Sequence, residues 1–301
     1  MPSISKVFIA TSTFSELDSK LANIYKKKRI IFIKNPLSKK LNSNQLIKYA
    51  KKCDYIIAGT ESYSKETIDK LLNLKHLFRM GSGVDNIDID YLKKKKIKFN
   101  KSQITPEIAV AELILGHILS IYRNLFKHNL DLKNNIWKKN MGSIIYGKTI
   151  GIIGYGKVGK YLHKLLKNFG ATIIINERKR INQKITPLKS LIKNSDIISI
   201  NTSLISKKKI LDKKNLKLCK KNCVIINTSR SEVLDYDYLY SMLKSNKILG
   251  AGFDVYEKEP YFGKLSKLNN VILSPHVGSY SKEIRSKMEK EALEFILRIN
   301  A

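Results

Sequence analysis

Between Gly151 and Gly159 the chain reads GIIGYGKVG, and Glu177 follows eighteen residues after the last glycine, at the end of the apolar stretch ATIIIN. This spacing is that of a dinucleotide-binding turn placed between a strand and a helix. Gly154 allows a tight turn, Gly156 lets the backbone approach a pyrophosphate, and Gly159 lets the helix close on the strand. The amides of Tyr155, Gly156, Lys157 and Val158 would then face phosphates at a helix N-terminus. Glu177 could accept hydrogen bonds from both adenosine ribose hydroxyls and would repel a 2′-phosphate. NAD is therefore expected over NADP, with the adjacent Arg178 pulling the other way. Hydride transfer becomes the leading chemistry.

Three later apolar runs end in residues that could handle a carboxylate and a proton. Residues 223–227 are followed by Thr228, Ser229 and Arg230; residues 249–253 by Asp254, then Glu257 and Glu259; residues 271–273 by Ser274, Pro275 and His276. Arginine is a bidentate clamp for a carboxylate that cannot lose its charge. Histidine titrates near neutrality and can carry a hydroxyl proton. A glutamate beside it would orient the ring and favour its protonated form. With Asn201 and Thr202 after another such run, Thr228 and Asp254 complete the candidate cofactor contacts.

The elements that must position these groups alternate. Residues 6–10, 30–33, 55–58, 76–79 and 97–100 read as strands of a first parallel sheet. Residues 149–153, 171–175, 196–200, 223–227, 249–253 and 271–273 read as strands of a second. Buried parallel strands are near-continuous apolar runs, as these are. Pro106 opens a helix through Tyr122, and residues 282–299 form one long amphipathic helix that is expected to return to the first domain. The fold class is thus α/β, with two Rossmann- or flavodoxin-like doubly wound parallel-sheet domains. The first domain is discontinuous, from residues 1–99 and 276–301, and residues 100–275 form the nucleotide-binding domain. In open α/β sheets ligands sit beyond the carboxyl ends of strands, where all of these groups lie.

At 301 residues the chain is long enough for two cores. No run of 18 uncharged apolar residues exists, and the N-terminus lacks a secretory pattern, so a cytoplasmic protein with no membrane span is expected. Cys53, Cys219 and Cys223 are too few for a disulfide framework, and no metal is expected. The net charge of +32 invites a nucleic-acid reading. The lysines are spread from end to end, however, with no basic arm, zinc-finger spacing or RNA-binding aromatic pair. A solvated basic surface that draws in anionic substrates is expected, without specific nucleic-acid contacts.

The segments RMGSGVDNID (79–88), VAELILG (110–116), GKTIGIIGYGKVG (147–159), INTSR (226–230), GFDVYEKEP (252–260) and SPHVGSYS (274–281) occur in that order. Together they resemble the D-isomer-specific 2-hydroxyacid dehydrogenases, and within them the phosphoglycerate dehydrogenase type. The resemblance implies that Arg230 binds and polarises the keto acid, that Glu259 rather than Glu257 pairs with the catalytic histidine, and that His276 is the general acid/base. It implies that the loop Gly81, Ser82 and Gly83 holds the substrate carboxylate, and that NAD is the cofactor. It also implies a homodimer joined through the cofactor domain, to which the helix ending at Tyr122 would contribute. Its leading substrate is D-3-phosphoglycerate; the alternatives are another D-2-hydroxy acid, such as glycerate or a sugar-derived acid, or a non-catalytic NAD-sensing protein.

Some positions depart from that pattern. Gly59 stands where human-type phosphoglycerate enzymes carry a substrate-binding arginine, so phosphate recognition would fall to Arg79 or Lys65. Ser231 replaces a usual glycine and would be strained if the site required positive φ. Asn201 replaces a frequent histidine, and Ser203 a frequent proline. No regulatory extension follows the last helix, so control through one is not expected.

Overall fold

The computed structural model describes residues 4–81, 83–202 and 209–300. Ser82 and Ser203 lie outside them. The chain divides into two compact units, Met1–Pro106 with Ser281–Ala301, and Glu107–Tyr280. These crossings lie a few residues beyond those expected from the sequence, and they leave His276 on the second unit.

The first unit contains β1 (Ser5–Ile9), α1 (Ser19–Lys27), β2 (Ile30–Lys34), α2 (Ser43–Ala50) and β3 (Tyr55–Ala58). It continues with α3 (Lys65–Asp69), β4 (His76–Arg79), α4 (Ile89–Lys94) and β5 (Lys98–Lys101). The second unit contains α5 (Glu107–Tyr122), α6 (Leu125–Lys133), β6 (Thr149–Ile153), α7 (Lys157–Asn168) and β7 (Thr172–Asn176). It then runs through α8 (Leu188–Asn194), β8 (Ile197–Ile200), α9 (Lys213–Leu216), β9 (Val224–Asn227) and α10 (Tyr236–Lys244). The strands β10 (Gly250–Phe253) and β11 (Val271–Leu273) close it, and α11 (Lys282–Ile299) returns to the first unit.

Both sheets are parallel. The first has the order β2-β1-β3-β4-β5 and the second β11-β10-β9-β8-β6-β7. The sequence order reverses between β1 and β3 in one, and between β6 and β8 in the other. Such a switch point opens a crevice at the carboxyl ends of the two strands. Gly59 follows β3 at the first switch point, and Gly154 follows β6 at the second.

Burial explains why these runs became strands. Every residue of β8, β9 and β10 is buried, and so are the last four of β6. In the first unit, α11 covers one face of the sheet. Its Met288, Ala292, Leu293 and Ile296 share a core with Val7, Ile9, Ile57 and Phe78. The buried Glu289 fixes this helix by accepting the amides of Ser15 (2.7 Å) and Glu16 (3.0 Å) and pairing with Arg285 (3.1 Å). Among the described residues no single helix is long and apolar enough to cross a membrane.

Candidate active site

The glycine turn is built as its spacing requires. Gly154 has φ +91°, and a Cβ there would lie 2.8 Å from the main chain of Asn201 at the end of β8. At Gly159 a Cβ would lie 2.3 Å from the Gly154 carbonyl oxygen, so only glycine lets α7 sit on the turn. A Cβ at Gly156, by contrast, would meet nothing within 4 Å. That open approach, before an α7 N-terminus that no side chain caps and whose first turn holds no acidic residue, fits a pyrophosphate.

Glu177 follows β7 and takes the amides of Tyr155 (2.7 Å), Arg178 (2.7 Å) and Lys179 (3.3 Å). Partial burial pulls its carboxyl upward. The three amides and the Lys179 charge outweigh this and hold it below the ordinary carboxylate value, so it is an anion at neutral pH. The Tyr155 hydroxyl lies 2.7 Å from His163 Nδ1 on α7. A cavity of about 580 Å³ opens beside these groups, lined by Gly154, Glu177, Arg178 and Thr202 and by four lysines, Lys189, Lys193, Lys209 and Lys214. Its size and donors suit the adenosine end of a dinucleotide. Glu177→Ala is expected to shift the NADP(H)/NAD(H) affinity ratio upward by about tenfold, a 2′-phosphate then meeting cations without the carboxylate. Titration of the variant with both cofactors checks this; a wild type that prefers NADP(H) would refute the orientation given to Glu177.

The second cluster sits where β9, β10 and β11 end side by side. His276 Nδ1 lies 3.0 and 3.1 Å from the two carboxylate oxygens of Glu259. Glu257 lies elsewhere, in a separate cavity with Tyr236 and Tyr261. His276 has φ +56°, and its loop is fastened to β10. The buried Asp254 carboxylate accepts the Val277 and Gly278 amides, both at 2.8 Å, and the Ser274 hydroxyl at 2.6 Å. Asp254 thus points behind the histidine loop. Arg230 stands on a turn shaped by Asn227, whose side-chain oxygen accepts the Ser229 amide (3.1 Å) and hydroxyl (2.9 Å) and whose Nδ2 donates to the Arg230 carbonyl (2.9 Å). Arg230 Nη1 donates to the Ser229 carbonyl at 2.7 Å. Ser231 is not among the positive-φ residues; it opens a 3-10 turn, Ser231–Val233, and its glycine-like strain is absent. Thr228 and Asn201 are half-buried at the ends of β9 and β8.

Within the first unit, the segments after β3 and β4 form a third cluster. The Glu61 side chain folds back under Gly59 and accepts its amide at 2.8 Å. A Cβ at Gly59 would lie 3.0 Å from both Glu61 carboxylate oxygens. Burial pushes the Glu61 carboxyl up, against the pull of the Glu61 and Gly59 amides and of the Arg79 and Lys40 charges. Arg79 Nε donates to the Gly83 carbonyl at 3.0 Å, and another of its nitrogens donates to the Met80 carbonyl. Its guanidinium lies beneath Gly81, whose φ of +141° strains any other residue and where a Cβ would come within 2.8 Å of Arg79 Nη1.

Sequence reasoning missed Glu61 and Asn227 as site-builders. A signal existed for Asn227, a polar residue ending an otherwise apolar strand. Tyr236 and Tyr256 were also missed. Their hydroxyls bond the Val255 carbonyl (2.8 Å) and the Ser274 carbonyl (2.9 Å), bracing the loops of Glu259 and His276.

Comparison with known proteins adds the family. The model of the D-isomer specific 2-hydroxyacid dehydrogenase NAD-binding domain matches residues 115–278. The chain is 35% identical to a glyoxylate reductase of Thermococcus litoralis over 247 residues, 76% of this chain and 75% of that one. It is 32% identical to a hydroxypyruvate reductase of Thermotoga maritima over 273 residues, 87% and 89% of the two chains. It is 33% identical to a D-3-phosphoglycerate dehydrogenase of Methanocaldococcus jannaschii over 258 residues, 81% of this chain but 49% of that one.

Proposed function

The chain belongs to the D-isomer-specific 2-hydroxyacid dehydrogenase family and is an NAD-dependent oxidoreductase; from that premise we propose that its substrate pair is short and unphosphorylated, of the size of glyoxylate or of hydroxypyruvate and D-glycerate. This replaces the 3-phosphoglycerate that the resemblance puts first. The observation that carries it is Glu61 beneath Gly59. The position from which a phosphate-reading arginine would project has no side chain, and a buried carboxyl occupies the space behind it. Arg79 is committed to the carbonyls of its own loop. The relatives named for glyoxylate and hydroxypyruvate, matched over most of their length, support the same reading.

In this reading the dinucleotide, held on the glycine turn, would supply a hydride to C2 in its reduced form, NADH, and accept one from C2 in its oxidised form, NAD. Arg230 clamps the substrate carboxylate and polarises the carbonyl. Glu259 accepts the hydrogen bond from His276 Nδ1–H, which leaves Nε2 for the substrate oxygen. During reduction the protonated ring gives its Nε2 proton to the carbonyl oxygen; during oxidation the neutral ring takes the hydroxyl proton. Loss of NADH absorbance should reveal turnover of glyoxylate or hydroxypyruvate with kcat/KM at least about tenfold above that of 3-phosphohydroxypyruvate, or about 1.4 kcal/mol in transition-state binding. Preference for the phosphorylated acid would sink the substrate reading, and turnover of no 2-keto acid would sink the reaction.

The proposed protein is cytoplasmic and pairs with itself through the NAD-binding unit. None of the residues of α6 is buried, and the segment beyond it exposes Trp137 (83%) and Met141 (97%). Phe126 and Leu132 add to this apolar surface, which a lone subunit would leave in water. Sedimentation of the wild type should give the mass of two chains, and the double variant Phe126→Glu, Trp137→Glu the mass of one. A wild type with the mass of one chain would refute the pairing.

A further inference from the structure

His117 is an anomaly in the core. It lies on α5, 4% exposed, among Ala111, Ile114 and Ile118. Its Nδ1 is buried with no hydrogen-bond partner. It faces Gly252 of β10, where a Cβ would come within 2.8 Å of that nitrogen. An orphaned buried acceptor is costly, and a leucine or methionine would fill the same space without it. The other ring nitrogen, Nε2, lies 3.2 Å from the hydroxyl of Ser274.

That single contact reaches the reacting histidine in two steps. The shortest contact of the Ser274 hydroxyl is Asp254 Oδ1 at 2.6 Å; the Phe253 carbonyl is farther, at 3.3 Å. Its one proton therefore goes to the carboxylate, and its oxygen is left to accept a proton from His117. This selects the neutral tautomer with hydrogen on Nε2. Burial pushes the imidazole pKa down, against the pull of Asp254, and keeps the ring neutral. The Asp254 carboxylate in turn holds the amides of Val277 and Gly278. Ser274 lies before His276 and Val277 and Gly278 after it, so the same anion grips the loop on both sides of a residue in left-handed conformation. A side chain other than glycine keeps that conformation only where its surroundings impose it.

We propose that His117, acting through Ser274 and Asp254, is a positioning residue that fixes the loop presenting His276. The proposal rests on the redox reading above, in which His276 moves the substrate proton. The imidazole is buried in the core and orients the serine hydroxyl so that the carboxylate stays turned onto the loop.

The test compares wild type, His117→Leu and His117→Gln. The leucine variant should lose about tenfold in kcat, as a displaced catalytic group does. Its KM for the keto acid and its Kd for NADH should stay within about twofold, and its Tm should be unchanged or higher because the orphaned nitrogen is gone. Glutamine, which can donate to Ser274, should restore kcat to within about threefold. In ¹⁵N spectra the His276 ring resonances should move in the leucine variant and return in the glutamine variant. A leucine variant with normal kcat and unmoved His276 resonances overturns the proposal. If it does not fold, Ser274→Ala breaks the same link from the loop side and is read by the same criteria. Should the wild type turn over no 2-keto acid, the redox reading fails by itself. The His276 resonances then decide the positioning role, and unmoved signals refute it.

Discussion

His276→Asn is expected to lower kcat by about 10²–10⁴-fold while NADH binds as it does to wild type. The reasoning is local. Glu259 holds Nδ1, so the proton in play is the one on Nε2, and asparagine has no group there that exchanges a proton near neutrality. Asparagine also tolerates a left-handed backbone better than most residues, so φ +56° can persist and the loop need not rearrange. The glycine turn and Glu177 lie at the ends of β6 and β7, on the far side of β8 and β9 in the sheet order, and keep their geometry. Single-turnover kinetics beside NADH fluorescence titration separate the two effects. Turnover at the wild-type rate would mean that another group carries the proton.

Arg230→Ala should lower kcat/KM by about 10²–10³-fold, with a lower kcat and a higher KM. The substitution removes the clamp without undoing its support, because Asn227 fixes the turn through the backbone of Ser229 and Arg230 and through the Ser229 hydroxyl. Arg230→Lys keeps the charge and loses the planar fork, and should recover only part of the loss. Steady-state kinetics with glyoxylate and hydroxypyruvate give both numbers. An alanine variant within twofold of wild type would remove Arg230 from the site.

The strands were legible because burial on both faces makes a parallel strand an unbroken apolar run. β1, β5 and β7 are each displaced by one residue from the expected bounds, and the sequence of β5, KFNK, is mostly exposed. The helix α6 was not foreseen, since none of its residues is buried within the subunit and its apolar residues follow no core-facing stripe. Spacing alone left Glu257 and Glu259 open, and the resemblance chose Glu259. Nothing in the order of residues told which carboxylate turns toward a histidine seventeen positions on. Gly59 was legible as a missing arginine. That Glu61 bends back beneath it was not, because a sequence shows which side chain is absent but not which neighbour occupies its space. His117 stands in the sequence as one polar residue within the apolar run of α5; its meaning lies in Ser274, which is 157 residues away.

The return of α11 to the first sheet also orders events in time. The unit from Glu107 to Tyr280 is continuous, so its core can close as soon as its last strand leaves the ribosome. The flanking unit has no such freedom. Val7, Ile9 and Ile57 find their covering partners, Met288, Leu293 and Ile296, only after residues 282–299 have been made. Until then one face of that sheet is exposed apolar surface. The Ser5 hydroxyl, bonded to Asn300 at 2.7 Å, joins the first strand to the last helix. A nascent chain stalled before residue 281 would carry a finished nucleotide fold beside an open, adhesive sheet, the form a chaperone would be expected to hold.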